Sequence, residues 1–140
     1  MNSLKCSEGG RFMFKDFVYE RYLKEPNAIS FEEAMKIYEE IIAQAPEENE
    51  MFDKAWDEAI EKMTAYADLR AHWKITPKPQ RDNDARTVKH DSVISSLNQL
   101  AQVMKELKLD ASWREELGDQ RKRIGDFACY VSLIYGVFAR

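Results

Sequence analysis

Six residues that carry charge, or that can be protonated, stand in or beside rows of apolar residues with helical spacing. They are Arg70, Arg86, His90, Arg121, Arg123 and Asp126. Arg86 and His90 are four residues apart, so a helix would place them on one face, a turn from each other. A polar or charged group that is buried without a partner costs several kcal/mol. Where these side chains are buried, they must therefore pair with one another or meet a ligand.

Two interpretations of this cluster are open. In the first, the residues form a structural network, in which Asp126 pairs with one or two arginines and His90 donates to a carbonyl or a carboxylate. In the second, the arginines and His90 form a pocket that holds a carboxylate or a phosphate through charge-assisted hydrogen bonds. The six residues are therefore a candidate ligand-binding site, and the sequence leaves open whether their role is structural or functional.

The adjacent pair His90-Asp91 also matches a metal-ligand unit of one all-helical hydrolase superfamily. That pattern requires another histidine upstream and an aspartate downstream, and the chain offers only His72, 18 residues before His90. Two histidines cannot build a histidine-rich metal site. The two cysteines have no metal-ligand neighbours, and no serine or cysteine is placed as an activated nucleophile. We therefore predict no metal, no cofactor and no catalytic residue.

Apolar residues recur at helical spacing along most of the chain, and no segment reads as a strand. The predicted helices cover residues 12–24, 31–45, 47–74, 84–108, 112–117 and 119–140. Ser30 and Glu33 can form a capping box before the second of these helices, and Asn83 or Asp84 is expected to cap the fourth. Two prolines in the segment 75–82 cannot continue a helix, so this segment is the predicted linker.

The last twenty residues are apolar on nearly every side after their basic start, apart from Asp126. A helix of this kind is either the centre of a bundle or a membrane span. From Phe127 to Ala139 there are 13 residues without a charge, whereas a span needs about 20. We therefore expect no membrane segment. The predicted fold is an all-α, single-domain bundle of five or six helices over residues 12–140, with the apolar C-terminal helix at its centre and a flexible tail at residues 1–11.

The composition is that of one globular domain. The chain has 140 residues, of which 44% are hydrophobic and 33% are charged, and a domain of this length can bury a real core. Five glycines and four prolines favour helices joined by short turns. Two cysteines do not make a disulfide framework, and no N-terminal stretch has the pattern of a signal peptide. The predicted compartment is the cytoplasm, where thiols stay reduced.

Negative charge is concentrated in residues 31–61, which hold eleven acidic and two basic side chains, a local charge of −9 within a total of −4. Such a segment repels phosphate backbones, so nucleic-acid binding is not expected. It forms either a solvated helix face or a docking surface for a basic protein partner, whose approach it would accelerate. A homodimer that forms through exposed apolar surface is compatible with both of these alternatives.

Two blocks in the second half of the chain carry a family resemblance. They are residues 86–91, RTVKHD, and residues 112–130, SWREELGDQRKRIGDFACY. Both resemble a family of small helical proteins of Gram-positive bacteria whose function is unknown. The resemblance implies no catalytic or binding residue.

The sequence thus favours a small cytoplasmic protein that is not an enzyme and that binds or regulates through protein contacts. The alternative is a binder of a small anionic ligand, or an enzyme acting on one, that uses the arginine, histidine and aspartate pocket.

Overall fold

The computed structural model describes residues 27–135, apart from the side chains of residues 74 and 75. The helices are α1 (Phe31–Ala43), α2 (Glu50–Ile75), α3 (Asn83–Glu106), α4 (Ser112–Leu117) and α5 (Arg121–Leu133). The all-α prediction is confirmed, because this range holds five α-helices and no strand. The predicted tail at 1–11, the predicted helix at 12–24 and the last five residues of the predicted C-terminal helix lie outside the described residues.

Side chains before the helices determine where they begin. Ser30 Oγ accepts a hydrogen bond from the backbone N–H of Glu33 at 3.0 Å, which is half of the predicted capping box. The other half is missing, because the Glu33 carboxylate binds Arg123. Asn49 Oδ1 accepts from the Phe52 N–H at 2.9 Å, and α2 therefore begins at Glu50, three residues later than predicted.

The predicted caps of α3 were wrong. Asp82 is the cap, and its Oδ1 accepts from the Ala85 N–H at 2.9 Å. A capping side chain must stand before the first helical turn to reach the free N–H groups, and Asn83 and Asp84 already belong to the helix. The Asn83 side chain instead accepts from the indole N–H of Trp73 at 3.0 Å.

The segment predicted as a linker makes a tight connection between α2 and α3. It contains a single 3-10 turn, Lys78–Gln80, with Pro77 at its N-terminal cap position. The Trp73–Asn83 bond joins the end of α2 to the start of α3. At the other end of the hairpin, Met51 and Glu106 line one shared groove. The two helices are therefore antiparallel, and this pairing brings the end of α2 beside the start of α3.

One hydrophobic core receives side chains from all five helices. Every residue of α5 from Ile124 to Ser132 is buried, and α5 packs on α1, α2 and α3. The short helix α4 contributes Trp113, whose indole N–H contacts Met104 Sδ at 3.3 Å. Gly118 ends α4 at a φ of 83°, a backbone conformation open mainly to glycine. Asp126 thus lies in a stretch of α5 whose residues are packed into the core.

None of the helices between residues 27 and 135 combines the length and the apolar character that crossing a bilayer requires.

Close packing of α5 on α2 gives the first testable prediction. A Cβ atom added at Gly125 would lie 2.8 Å from the hydroxyl oxygen of Tyr66, and Tyr66 is only 4% exposed. We expect Gly125→Ala to lower the free energy of unfolding by roughly 1–3 kcal/mol through overpacking, although alanine favours helices by about 1 kcal/mol. Urea unfolding measures this change.

The Tyr66→Phe background provides the control for the Gly125→Ala prediction, because it removes the oxygen that the new Cβ would meet. Gly125→Ala should cost clearly less there. A Gly125→Ala protein as stable as the wild type would contradict the packing described for α2 and α5.

Candidate functional site

The structure brings five of the six predicted residues around one cavity of about 400 Å³, where the end of α2, the start of α3 and the start of α5 meet. These five are Arg70, Arg86, His90, Arg121 and Asp126. Tyr66, Thr87 and Lys122 complete the wall, and they were not among the predicted site residues. Lys122 was detectable in principle, because it stands four residues before Asp126 on the same helix face.

Arg123, the sixth predicted residue, does not line this cavity. Its guanidinium donates to the Leu117 carbonyl at 2.7 Å and to the Ala28 carbonyl at 3.2 Å, and it pairs with the Glu33 carboxylate. These contacts join the start of α5 to the end of α4 and the start of α1. Arg123 therefore ties three segments of the backbone together and takes no part in the cavity wall.

His90 is the most buried basic group of the cavity wall, with 5% of its surface exposed. Its Nε2 lies 2.8 Å from the carbonyl oxygen of Arg121. Because a carbonyl only accepts hydrogen bonds, this contact places a proton on Nε2. Nδ1 is buried and has no hydrogen-bond partner among the residues that the structure describes. In the neutral ring, Nδ1 is therefore an unused acceptor.

The surroundings of His90 favour its neutral form. Burial lowers the pKa of His90 below the 6.5 of an ordinary histidine, and it outweighs the hydrogen bond to the Arg121 carbonyl, which raises the pKa. The charges of Arg121 and Arg86 also lower this pKa, whereas Asp91 raises it. The Tyr66 ring packs against the imidazole in an edge-to-face arrangement, with 5.4 Å between the ring centres. Burial also raises the pKa of Tyr66 above 10, so its hydroxyl keeps its proton. Both rings are therefore neutral at physiological pH.

Asp126 is 4% exposed and is held by partners of two kinds. Its Oδ2 accepts from the backbone N–H of Ala28 at 2.8 Å and from the Lys122 ammonium group at 3.0 Å. Hydrogen bonds of this kind offset the cost of burying a polar group. Part of the structural network that the sequence suggested is therefore present, with a lysine and a backbone N–H among the donors.

Three arginines surround the ring of Trp73. The guanidinium carbons of Arg70, Arg81 and Arg86 lie 4.7, 4.2 and 4.7 Å from the ring centre, within the range of a cation–π interaction. Trp73 was not among the predicted site residues. The spacing of Arg70 and Trp73, three residues apart on α2, was the available signal.

Positive charge exceeds negative charge around the cavity. Lys122 pairs with Asp126 at 3.0 Å, and Arg121 pairs with Asp91 at 3.2 Å across an exposed surface. For Arg70 and Arg86, no ion pair exists within the described part of the chain, and the buried Nε of Arg86 has no hydrogen-bond partner there. Among residues 27–135, no carboxylate therefore compensates the charge of these two guanidinium groups.

The described residues do not support the metal-site interpretation of His90-Asp91. Asp91 is bound to Arg121, and His90 is directed at a backbone carbonyl. Nowhere in residues 27–135 do three histidine, cysteine, aspartate or glutamate side chains converge as a metal site would require.

Comparisons of the chain with protein-family models, with curated proteins and with solved structures found no match. The resemblance of the second half of the chain to a Gram-positive family therefore stays a prediction, and any function must be argued from the site itself.

The lowered pKa of His90 makes stability depend on pH in a defined direction. Between pH 6.5 and the lower pKa of the folded protein, the unfolded chain binds a proton that the folded chain does not. The free energy of unfolding should therefore fall as the pH drops through this window, with a slope of at most about 1.4 kcal/mol per pH unit from this group.

Urea unfolding between pH 7.5 and pH 5 checks this dependence in three proteins. The wild type and the control His72→Gln, which removes an exposed histidine, should both lose stability, whereas His90→Gln should lose measurably less. Equal pH dependence in all three proteins would show that the buried imidazole does not resist protonation.

Proposed function

We propose that the protein binds a small anionic ligand, a carboxylate or a phosphate, in the cavity between α2, α3 and α5. The observation that carries this proposal is a pair of buried polar atoms, Arg86 Nε and His90 Nδ1, that have no partner within the described residues. Leaving such an atom unpaired costs about 1–3 kcal/mol. Both belong to residues that line the cavity, and we propose that a ligand bound there reaches these atoms and provides the missing bonds.

The arrangement of the arginines supports an anion as the ligand. Stacking on Trp73 restricts the side chains of Arg70 and Arg86, and an ordered guanidinium loses less entropy when it binds a carboxylate or a phosphate. The Arg86 guanidinium also lies beside the buried Tyr66 hydroxyl. The cavity of about 400 Å³ is within the range of small-molecule sites, roughly 300–1,000 Å³.

The proposal is for binding without catalysis. The residues of the cavity wall include no cysteine and no serine, and the neutral imidazole of His90 already uses one nitrogen on a backbone carbonyl. We propose a small cytoplasmic binding or regulatory protein, in which occupation of the cavity would stiffen the junction of three helices.

Thermal unfolding in the presence of anions tests the proposal. Inorganic phosphate, small phosphate esters and small carboxylates should be screened, and at least one should raise the unfolding temperature. A ligand at 100 times its dissociation constant adds about 2.7 kcal/mol to the free energy of unfolding. We expect Arg86→Ala to abolish this gain, because it removes a guanidinium that has no ion pair within the described chain.

Lys105→Ala is the matched control for Arg86→Ala. It removes one positive charge from the exposed surface of the same helix, far from the cavity, and should leave the ligand-induced gain unchanged. The proposal fails when no anion stabilises the wild type, or when the Arg86→Ala protein is stabilised as much as the control.

A second function, protein docking, is favoured by the N-terminal half of α2. Its exposed acidic side chains line one shallow surface of the helix: Glu50, Asp53, Asp57, Glu58 and Glu61. Within the described residues, none of the five forms an ion pair. We propose this surface as a docking site for a basic protein partner, and light scattering would show whether a second copy can serve as that partner.

Reversal of charge tests the docking surface. A basic peptide should bind the wild type in a salt-dependent way, and replacing Asp53, Asp57 and Glu61 by lysine should remove that binding. Removal of Glu115, an exposed acid on α4, should not. Binding that is insensitive to the three lysines would refute the docking proposal.

A further inference from the structure

The hydrogen bond between His90 and α5 determines which chemistry the cavity can recognise. The Arg121 carbonyl requires a donor at 2.8 Å, so Nε2 of His90 carries a proton. A neutral imidazole has one proton only, which leaves a lone pair on the buried Nδ1. One member of the cavity wall therefore offers an acceptor, whereas the guanidinium groups of Arg70 and Arg86 offer donors.

Charged and titratable groups from all three helices face His90. They are Tyr66 and Arg70 on α2, Arg86 and Asp91 on α3, and Arg121, Lys122 and Asp126 on α5. The positive charges of Arg86 and Arg121 oppose protonation of the ring, and Asp91 favours it from an exposed position. Burial adds to the opposition. The imidazole thus meets the ligand as a neutral acceptor.

An anion without a proton cannot form hydrogen bonds with both the donors and the acceptor of the cavity wall. Its oxygens would accept from the arginines, but they would meet the Nδ1 lone pair with another lone pair, which is repulsive. An anion that also carries an O–H group would donate it to Nδ1 and accept from Arg86 at the same time. The Asp126 carboxylate in the same wall likewise disfavours an anion that has only acceptors.

We infer that the ligand of this cavity is an anion with an O–H donor beside its charged oxygens, such as hydrogen phosphate or a 2-hydroxycarboxylate. This inference rests on the proposed anion-binding function and adds its selectivity. Sulfate and simple carboxylates, which are fully deprotonated at neutral pH, should be rejected by the same site.

Two matched pairs of probes test this selectivity by calorimetric titration at pH 7.5. Phosphate is compared with sulfate, and lactate is compared with propionate, so the members of each pair differ chiefly in the O–H group. We expect the donor-bearing member of at least one pair to bind at least about tenfold more tightly, because a site built around a hydrogen bond rejects an analogue that lacks it. The pair that binds shows whether the ligand is a phosphate or a carboxylate.

The variant His90→Phe removes the acceptor while keeping an aromatic ring. In this variant, the affinity for the anion with the O–H group should exceed the affinity for its partner in the pair by less than about threefold. His72→Gln is the matched control, because it replaces the other histidine of the chain at an exposed position and should keep the full preference.

A spectroscopic measurement keeps the test independent of how well His90→Phe folds. In the His72→Gln protein, His90 is the sole histidine, so the ¹⁵N spectrum of labelled histidine reports on its two nitrogens alone. Nδ1 should be unprotonated in the free protein at pH 7.5. The donor-bearing anion should shift its signal as a hydrogen-bond acceptor does, without protonating it.

The outcomes separate this inference from the function on which it rests. Equal binding of both members of a pair, lost in Arg86→Ala, would overturn the inference and leave the anion-binding function standing. A protonated Nδ1 in the free protein would also overturn the inference. If none of the four probes binds, the inference fails, and the proposed function fails with it when no anion of the wider screen stabilises the wild type.

Discussion

The contact between the His90 imidazole and the Arg121 carbonyl connects the fold to the site. It joins α3 to the first residue of α5 through a partly buried hydrogen bond at 2.8 Å. Most buried polar atoms are hydrogen-bonded. Here Nε2 is bonded, whereas Nδ1 has no partner among residues 27–135. The same contact determines the tautomer of the ring, and the tautomer decides what a ligand must offer. Helix packing thereby determines the chemistry of the cavity.

The second constraint is the placement of charge along α2. Its N-terminal half carries exposed acidic residues, and its C-terminal end carries Arg70 and Trp73, against which two further arginines stack. Acidic residues suit the positive end of the helix dipole. Arg70 and Arg86 stack on this aromatic face and form no ion pair within residues 27–135, and we propose that their charge serves an anion. We therefore propose partners of opposite charge for the two ends of this helix.

Helical periodicity was enough to predict the all-α fold and to find five residues that meet at one cavity. A charged residue in an apolar row must come to lie near other buried groups, and the pairing of α2, α3 and α5 brings Arg70, Arg86 and Asp126 to the same place. Periodicity identifies the face on which a side chain lies. It does not identify the partner that the side chain meets.

The incomplete predictions arise because periodicity does not identify the partner of a side chain. Arg123 binds backbone carbonyls of Ala28 and Leu117, and a backbone acceptor leaves no mark in a sequence pattern. The cap of α3 is Asp82 because the connection after Pro77 sets where the helix begins. The stacking of Arg81 and Arg86 on Trp73 depends on the tight turn between α2 and α3. The two prolines predicted a break between these helices but not the course of the backbone through it.

A crystal structure of the protein grown with phosphate tests the central claim most directly. The account predicts a tetrahedral ion inside the cavity, with one oxygen about 2.7–3.2 Å from His90 Nδ1 and another at the same distance from Arg86 Nε. A phosphate bound only outside the cavity would contradict it. So would a structure in which side chains of the protein itself fill the cavity and bond both of these nitrogens.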